Sequence, residues 1–231
     1  MRHRVSEGEL SYTPGMEETV FTRFIFSAEA PRLRWRNDAG WTRELHLQPA
    51  VEAAADWDWR LSIAEIERRA AFSSFPGMTR ELLLLQGGLE LCFDDSEPTC
   101  ALKPFDRRRF DGEASVSGDP GQERALACNL IWRRGGLTVD TWQRPLVGNL
   151  LCAVAPGQTW VIVVLSGHAR LQREREPELG PMDAAILTTG DQTRQVFVEG
   201  AGQLLLARLG AGDPARTASS KPADLGFQFP D

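Results

Sequence analysis

Histidine is scarce in this chain. His3, His46 and His168 are the only three, and nowhere does the pattern H-x-H occur. Lysine is scarcer still, with only Lys103 and Lys221 among 26 basic residues. Arginine carries the rest of the positive charge, a bias that a GC-rich genome explains without invoking function. Cys92, Cys100, Cys128 and Cys152 form no C-x-x-C pair, which excludes the usual zinc and dithiol spacings and reads as reduced, half-buried thiols. No apolar run approaches the roughly 18 residues of a membrane span. The opening stretch MRHRVSEGELSYTPG lacks the apolar segment of a secretory signal, so a cytoplasmic location is expected. A G-x-S-x-G elbow, a Walker loop and a G-x-G-x-x-G fingerprint are all missing. The net charge of -6 argues against a nucleic-acid or membrane partner.

What is present is an ordinary globular balance, 42% hydrophobic and 25% charged over 231 residues, enough for one large all-β domain or two small ones. Short apolar runs such as VFTRFIF (20–26), WRLSI (59–63), LACNLIW (126–132) and WVIVVLSG (160–167) are separated by Gly, Pro and Asp turns. That rhythm predicts a β-barrel or sandwich. One segment dissents: AEIERRAAF (64–72) has helix-favouring letters. Residues 1–19 and 213–231 lack core periodicity and read as flexible tails.

An internal repeat organises the middle of the chain. LLLQGGLEL (83–91) aligns with VVLSGHARL (163–171), each reading as strand, glycine turn and second strand. LKPFDRRRFDGE (102–113) loosely parallels GPMDAAILTTGDQ (180–192). Such a unit resembles half a cupin barrel, and two copies imply a bicupin, with barrels over 20–115 and 120–212. Metal-binding cupins hold their cation with H-x-H, a carboxylate and a later histidine, because imidazoles must converge from neighbouring strands. Here the first turn is Gly87-Gly88, and Arg170 follows His168 where it would repel a cation. No metal and no other cofactor is expected.

Four further stretches carry a family resemblance. WRNDAGWTREL (35–45), WRLSIAEI (59–66), FSSFPGMTRELLLLQGG (72–88) and NLIWRR (129–134) are similar, in order, to motifs of the HutD/Ves family. They cover about half the chain. The chain departs from the family where Asp38, Ala39 and Gly40 replace a run of three glycines, and where Ala127-Cys128 replace an acidic residue. The resemblance implies an all-β bicupin without an established reaction. It also implies a link to histidine degradation and a small anionic ligand such as N-formylglutamate.

The candidate site rests on charge and alternation. Side chains on a strand alternate between faces, so Thr42, Glu44 and His46 are expected on one side of GWTRELHL. In GMTRELLLL, Arg80 shares a side with Leu82 and Leu84. Arg60 and Ser62 share a side of their own strand. A guanidinium inside an apolar barrel needs an anionic partner: either Glu44 or Glu81, or a ligand carboxylate gripped in bidentate fashion. Asn37 reads as a turn residue or as a ligand contact. Phe72 and Phe75 read as core or as a ligand platform, and Asn129 as a satisfied buried amide or a ligand contact. The leading expectation is a metal-free binder of a small carboxylate metabolite. Its site comprises Asn37, Thr42, Glu44, Arg60, Ser62, Phe75, Arg80 and Asn129, and its role is regulatory or sequestering. The rivals are a metal-independent isomerase or lyase using Glu44 with His46 as an acid–base pair, and a structural partner protein with no ligand. A homodimer is left open.

Overall fold

A computed structural model describes residues 20–50, 56–94, 98–172 and 176–212. The two expected tails lie outside these residues. Among the described residues all regular structure is β, and the strands form three sheets. The first sheet runs β2 (Arg32–Arg34), β3 (Gly40–Pro49), β4 (Trp57–Ile66), β11 (Ala125–Arg133), β6 (Met78–Gln86), β9 (Arg107–Asp111). The second is smaller: β5 (Ala70–Ala71), β10 (Val116–Asp119), β7 (Leu89–Phe93), β8 (Cys100–Leu102). The third runs β1 (Val20–Ile25), β15 (Ala184–Thr189), β13 (Thr159–Leu171), β16 (Arg194–Ala211), β12 (Leu137–Val154). The short β14 (Glu178–Leu179) flanks β13.

Alternation along the strands explains how these sheets stack. Leu61, Ile63, Cys128 and Leu130 of the first sheet meet Val161, Val163, Leu205 and Ala207 of the third, forming a core between the two barrels. The intervening residues of the first sheet, Ile66, Leu82, Leu84 and Ala127, point the other way and pack on Leu89, Leu91 and Val116 of the second. The third sheet encloses its own core, in which Ile162, Val164 and Leu206 meet Leu146, Val154 and Val198. The architecture is the all-β bicupin that the sequence predicts.

Two expectations need correction. The helix over 64–72 does not form: Ala64, Glu65 and Ile66 pair with Ala127, Leu126 and Ala125, and Ala70 pairs with Gly118. Ladder hydrogen bonds and a fully buried Ile66 outweigh the weak helical preference of the letters. The division near residues 115–120 is crossed in both directions. β1 pairs with β15 in the C-terminal sheet, while β11 sits between β4 and β6 in the N-terminal one. Each barrel is thus completed by a strand from the other part of the chain.

The repeat is real in geometry, and each of its glycine turns is a bend in the chain. Gly87 and Gly167 have φ of 82° and 79°, values that L side chains avoid. At Gly87 the chain passes from the first sheet to the second, since β6 pairs with β11 and β9 while β7 pairs with β10 and β8. At Gly167 the same bend lies inside β13, beside a register shift between Val164 and Ser166. The parallel around 102–113 and 180–192 is also structural. Phe105 and Met182 share a positive φ (74° and 71°). Asp106 accepts the Lys103 N–H at 2.8 Å, as Asp183 accepts the Gly180 N–H at 3.0 Å.

Candidate binding site

The site grows out of the register of four adjacent strands. β4 sends Trp59, Leu61 and Ile63 into the inter-barrel core, so Arg60, Ser62 and Ala64 face the opposite way. Directly across, Ile131 stands opposite Arg60 on one side and Arg80 on the other. One step along, Asn129 stands opposite Ser62, which in turn stands opposite Glu44. Two cross-strand rows result: Arg60–Ile131–Arg80 and Glu44–Ser62–Asn129. Two strand spacings separate the arginine backbones, roughly 10 Å.

Each arginine reaches into the neighbouring row, and the two find different partners. Arg60 Nε lies 2.9 Å from Glu44 Oε2, with both side chains partly exposed. Arg80 donates from Nε and Nη2 to the single amide oxygen of Asn129, at 2.9 and 2.7 Å. Its guanidinium stacks over Phe72 at 4.5 Å and near Phe110 at 5.4 Å. Arg80 is only 7% exposed, and no carboxylate among the described residues pairs with it. Burial lowers its pKa from the ordinary arginine range to about 9, and the nearby Arg60 charge pushes in the same direction.

Above these rows lies a cavity of about 430 Å³. Of the expected residues, Asn37, Thr42, Arg60, Ser62, Phe75, Arg80 and Asn129 line it; Glu44 stands behind Arg60 as its counter-ion. Trp35, Arg36, Phe72 and Ile131 line it too. Trp35 lies in the WRNDAGWTREL motif and Phe72 reads as core or platform, yet neither belongs to the expected site. Nothing in the letters distinguishes Arg36, which sits beside a turn, or Ile131, an apolar residue on an apolar strand.

Several of these residues also have partners within the fold. Asn37 does form a turn, accepting the Ala39 N–H at 3.1 Å, while also lining the cavity. The turn places Asp38 at φ 55°, a conformation that suits the glycine of the family pattern and that Asp tolerates. Thr42 accepts the Trp35 indole N–H at 2.8 Å. Phe75 packs edge-on against Trp57 with ring centres 6.0 Å apart. Glu81 is not the partner of Arg60 or Arg80. It faces away from the cavity, accepting hydrogen bonds from Arg109 at 2.8 Å and from the Thr141 hydroxyl at 3.1 Å.

The expectation that Glu44 and His46 share a face fails. A bulge shifts the register between them, so Glu44 is opposite Ser62 while His46 is opposite Leu61. An extra residue in a strand reverses the alternation beyond it; Leu45 fills the inter-barrel core and His46 follows it off the cavity face. His46 lies against Trp59 with ring centres 4.5 Å apart. Burial holds its imidazole below the ordinary 6.5. The acid–base pair of the rival reading does not assemble.

The two TREL stretches therefore serve the cavity in opposite phase. The first offers Thr42 and Glu44 and turns Arg43 away, where it donates to the Ser27 and Ala30 carbonyls. The second offers Arg80 and turns Glu81 away. Among the described residues no group of three or more His, Cys, Asp or Glu is placed to hold a metal, and His168 is exposed.

Comparison with known proteins agrees with this architecture. A family model described as HutD matches residues 27–206. A relative from Pseudomonas putida, described as an uncharacterized 21.2 kDa protein in the hutC 3' region, is 40% identical over 95 residues. That match covers 41% of this chain and 50% of the relative. Protein Ves from Escherichia fergusonii is 44% identical over 103 residues, 43% of this chain and 51% of its own length. The chain thus spans about half the length of the curated relatives it matches. The structure of HutD from Pseudomonas fluorescens SBW25 superposes with a TM-score of 0.73 at 23% identity, covering 84% of this chain and all of that one. Protein Ylba from E. coli gives 0.63 at 9% identity over 82% of this chain and 90% of its own. These two likenesses concern the fold.

Proposed function

The chain belongs to the HutD family, and from that premise we propose that it binds a small carboxylate metabolite in the N-terminal barrel. One observation carries the reading. Arg80 is buried at a cavity wall and its hydrogen-bonding partner is a neutral amide. A buried charge without a counter-ion costs several kcal/mol, and a carboxylate in the cavity supplies that counter-ion. The Arg80 fork suits a planar carboxylate. Arg60, held by Glu44, adds a second guanidinium, and Ser62 supplies a hydroxyl. Phe72, Phe75 and Trp35 wall the cavity with apolar surface, so the ligand has an apolar or small polar body behind its acid group.

The placement of a relative beside hutC supports a link to histidine utilisation. N-formylglutamate and its neighbours in histidine breakdown are therefore the first ligands to test. The role is regulatory or sequestering, a binder that follows the level of a pathway acid in the cytoplasm. The test is a thermal-shift screen with urocanate, N-formylglutamate, formiminoglutamate, glutamate and histidine, each with and without EDTA. A ligand at a hundred times its Kd stabilises by about 2.7 kcal/mol, which for a chain of this size raises Tm by roughly 5–10 °C. One acid is expected to produce that rise, unchanged by EDTA and abolished in Arg60→Ala. A flat panel would reject this ligand class, and an EDTA-sensitive response would reject a metal-free site.

A further inference from the structure

The two arginines are placed alike, each reaching one strand over in the same direction, Arg60 from β4 to β3 and Arg80 from β6 to β11, and the likeness breaks at one atom type. Arg60 reaches a carboxylate, Glu44, in the adjacent row. Arg80 makes the corresponding reach and meets the amide of Asn129. An aspartate at that position would have closed a second internal ion pair. We propose that Asn129 is the selectivity element of the site: it orients Arg80 without neutralising it, and so fixes the floor of the cavity at one unmatched positive charge. The inference rests on the anion-binding reading above and adds which anion the floor accepts.

The charge count follows from the pairing. Arg60 and Glu44 cancel, and Arg80 contributes the remaining unit. Arg36, the other unpaired arginine of the lining, is exposed, where water and salt screen it. A single carboxylate group balances the floor, and a ligand with a second acid group, such as N-formylglutamate, meets the floor through one of the two. A dianionic oxyanion such as sulfate leaves a surplus negative charge in a desolvated setting, which is costly. The hydrogen bonding agrees. Nε and one N–H of Nη2 are occupied by the Asn129 oxygen, so the edge that Nη1 shares with Nη2 is left for the ligand. Nη1 makes no hydrogen bond to a described residue. Asn129 therefore acts as a positioning residue, setting both the angle and the charge of the guanidinium.

The experiment compares wild type, Asn129→Asp and Glu44→Gln by thermal shift against acetate and sulfate, with ionic strength held constant by sodium chloride. Wild type is expected to show a saturable rise in Tm with acetate, and a sulfate response at least tenfold weaker in midpoint. Asn129→Asp is expected to melt higher than wild type without ligand and to lose the acetate response, since it carries its own counter-ion. Glu44→Gln leaves Arg60 unmatched, raises the floor to two charges, and is expected to gain a saturable sulfate response. If Asn129→Asp responds to acetate as wild type does, Asn129 does not set the charge. If Asn129→Asp fails to fold, Glu44→Gln decides: no gain of sulfate binding overturns the charge count. Equal wild-type responses to acetate and sulfate overturn the inference while leaving an anion site standing. A wild type that answers neither acetate nor any pathway carboxylate takes the binding reading down with it.

Discussion

Arg80 and His46 show what burial does to a charge when the fold assigns it no counter-ion. Arg80 remains in place because Asn129 and two aromatic rings hold it, yet the unliganded protein bears the cost of its desolvation. Replacing Arg80 with methionine keeps much of the volume and removes that cost. Arg80→Met should leave the Tm of the ligand-free protein unchanged or raise it, by up to about 4 kcal/mol of stability, while abolishing every carboxylate response. A large fall in its Tm would show that the guanidinium is structural. His46 gives a pH signature. The folded protein holds its imidazole below the ordinary 6.5, so the unfolded chain takes up a proton first as the solution is acidified. Its contribution to stability is complete above 6.5 and is lost as pH falls through the folded value. Melting curves across this range should be flatter for His46→Phe than for wild type; parallel curves would mean that another group governs the acid limb.

At the level of elements, the bends and bulges decide which side chain faces which space, and these were the least legible features of the sequence. Simple alternation correctly put Arg60 with Ser62, and Arg80 with Leu82 and Leu84, because β4 and β6 continue in register through those residues. Alternation failed at β3, where the bulge between Glu44 and His46 has no signature in GWTRELHL. Arg60, Ser62, Arg80 and Asn129 come together at one cavity wall, with Glu44 paired to Arg60 behind it. Arginine in apolar strands is conspicuous, whereas the cavity role of Ile131 depends on pairing partners far away in sequence. The glycine bends are testable directly. Gly167 has a positive φ, and a Cβ there would overlap the Ala201 carbonyl. Gly157 also has a positive φ, but nothing lies within reach of its Cβ. Gly167→Ala is expected to cost roughly 3 kcal/mol or more, and Gly157→Ala only about 1 kcal/mol. Comparable melting temperatures for the two variants would contradict this account of the bend.

For the whole molecule, exchange of β1 and β11 and the shared core between the first and third sheets tie the barrels into one cooperative unit. Ile25, Leu61, Leu130, Val163 and Leu205 belong to one cluster, though they come from both parts of the chain. Calorimetry of residues 1–231 should give a single unfolding transition, with calorimetric and van't Hoff enthalpies that agree. Separately expressed fragments 1–119 and 120–231 should each fail to fold, since the first lacks β11 and the second lacks β1. Two resolved transitions, or a well-folded fragment, would show the exchanged strands to be dispensable. The exchange also sets a schedule for biogenesis. Val20 of β1 pairs with Thr189 of β15, and at roughly 5–20 residues per second a ribosome needs on the order of ten to thirty seconds to make the intervening chain. Through most of that interval VFTRFI lies beyond the exit tunnel without its neighbour, a strand edge open to wrong pairing until β15 is made.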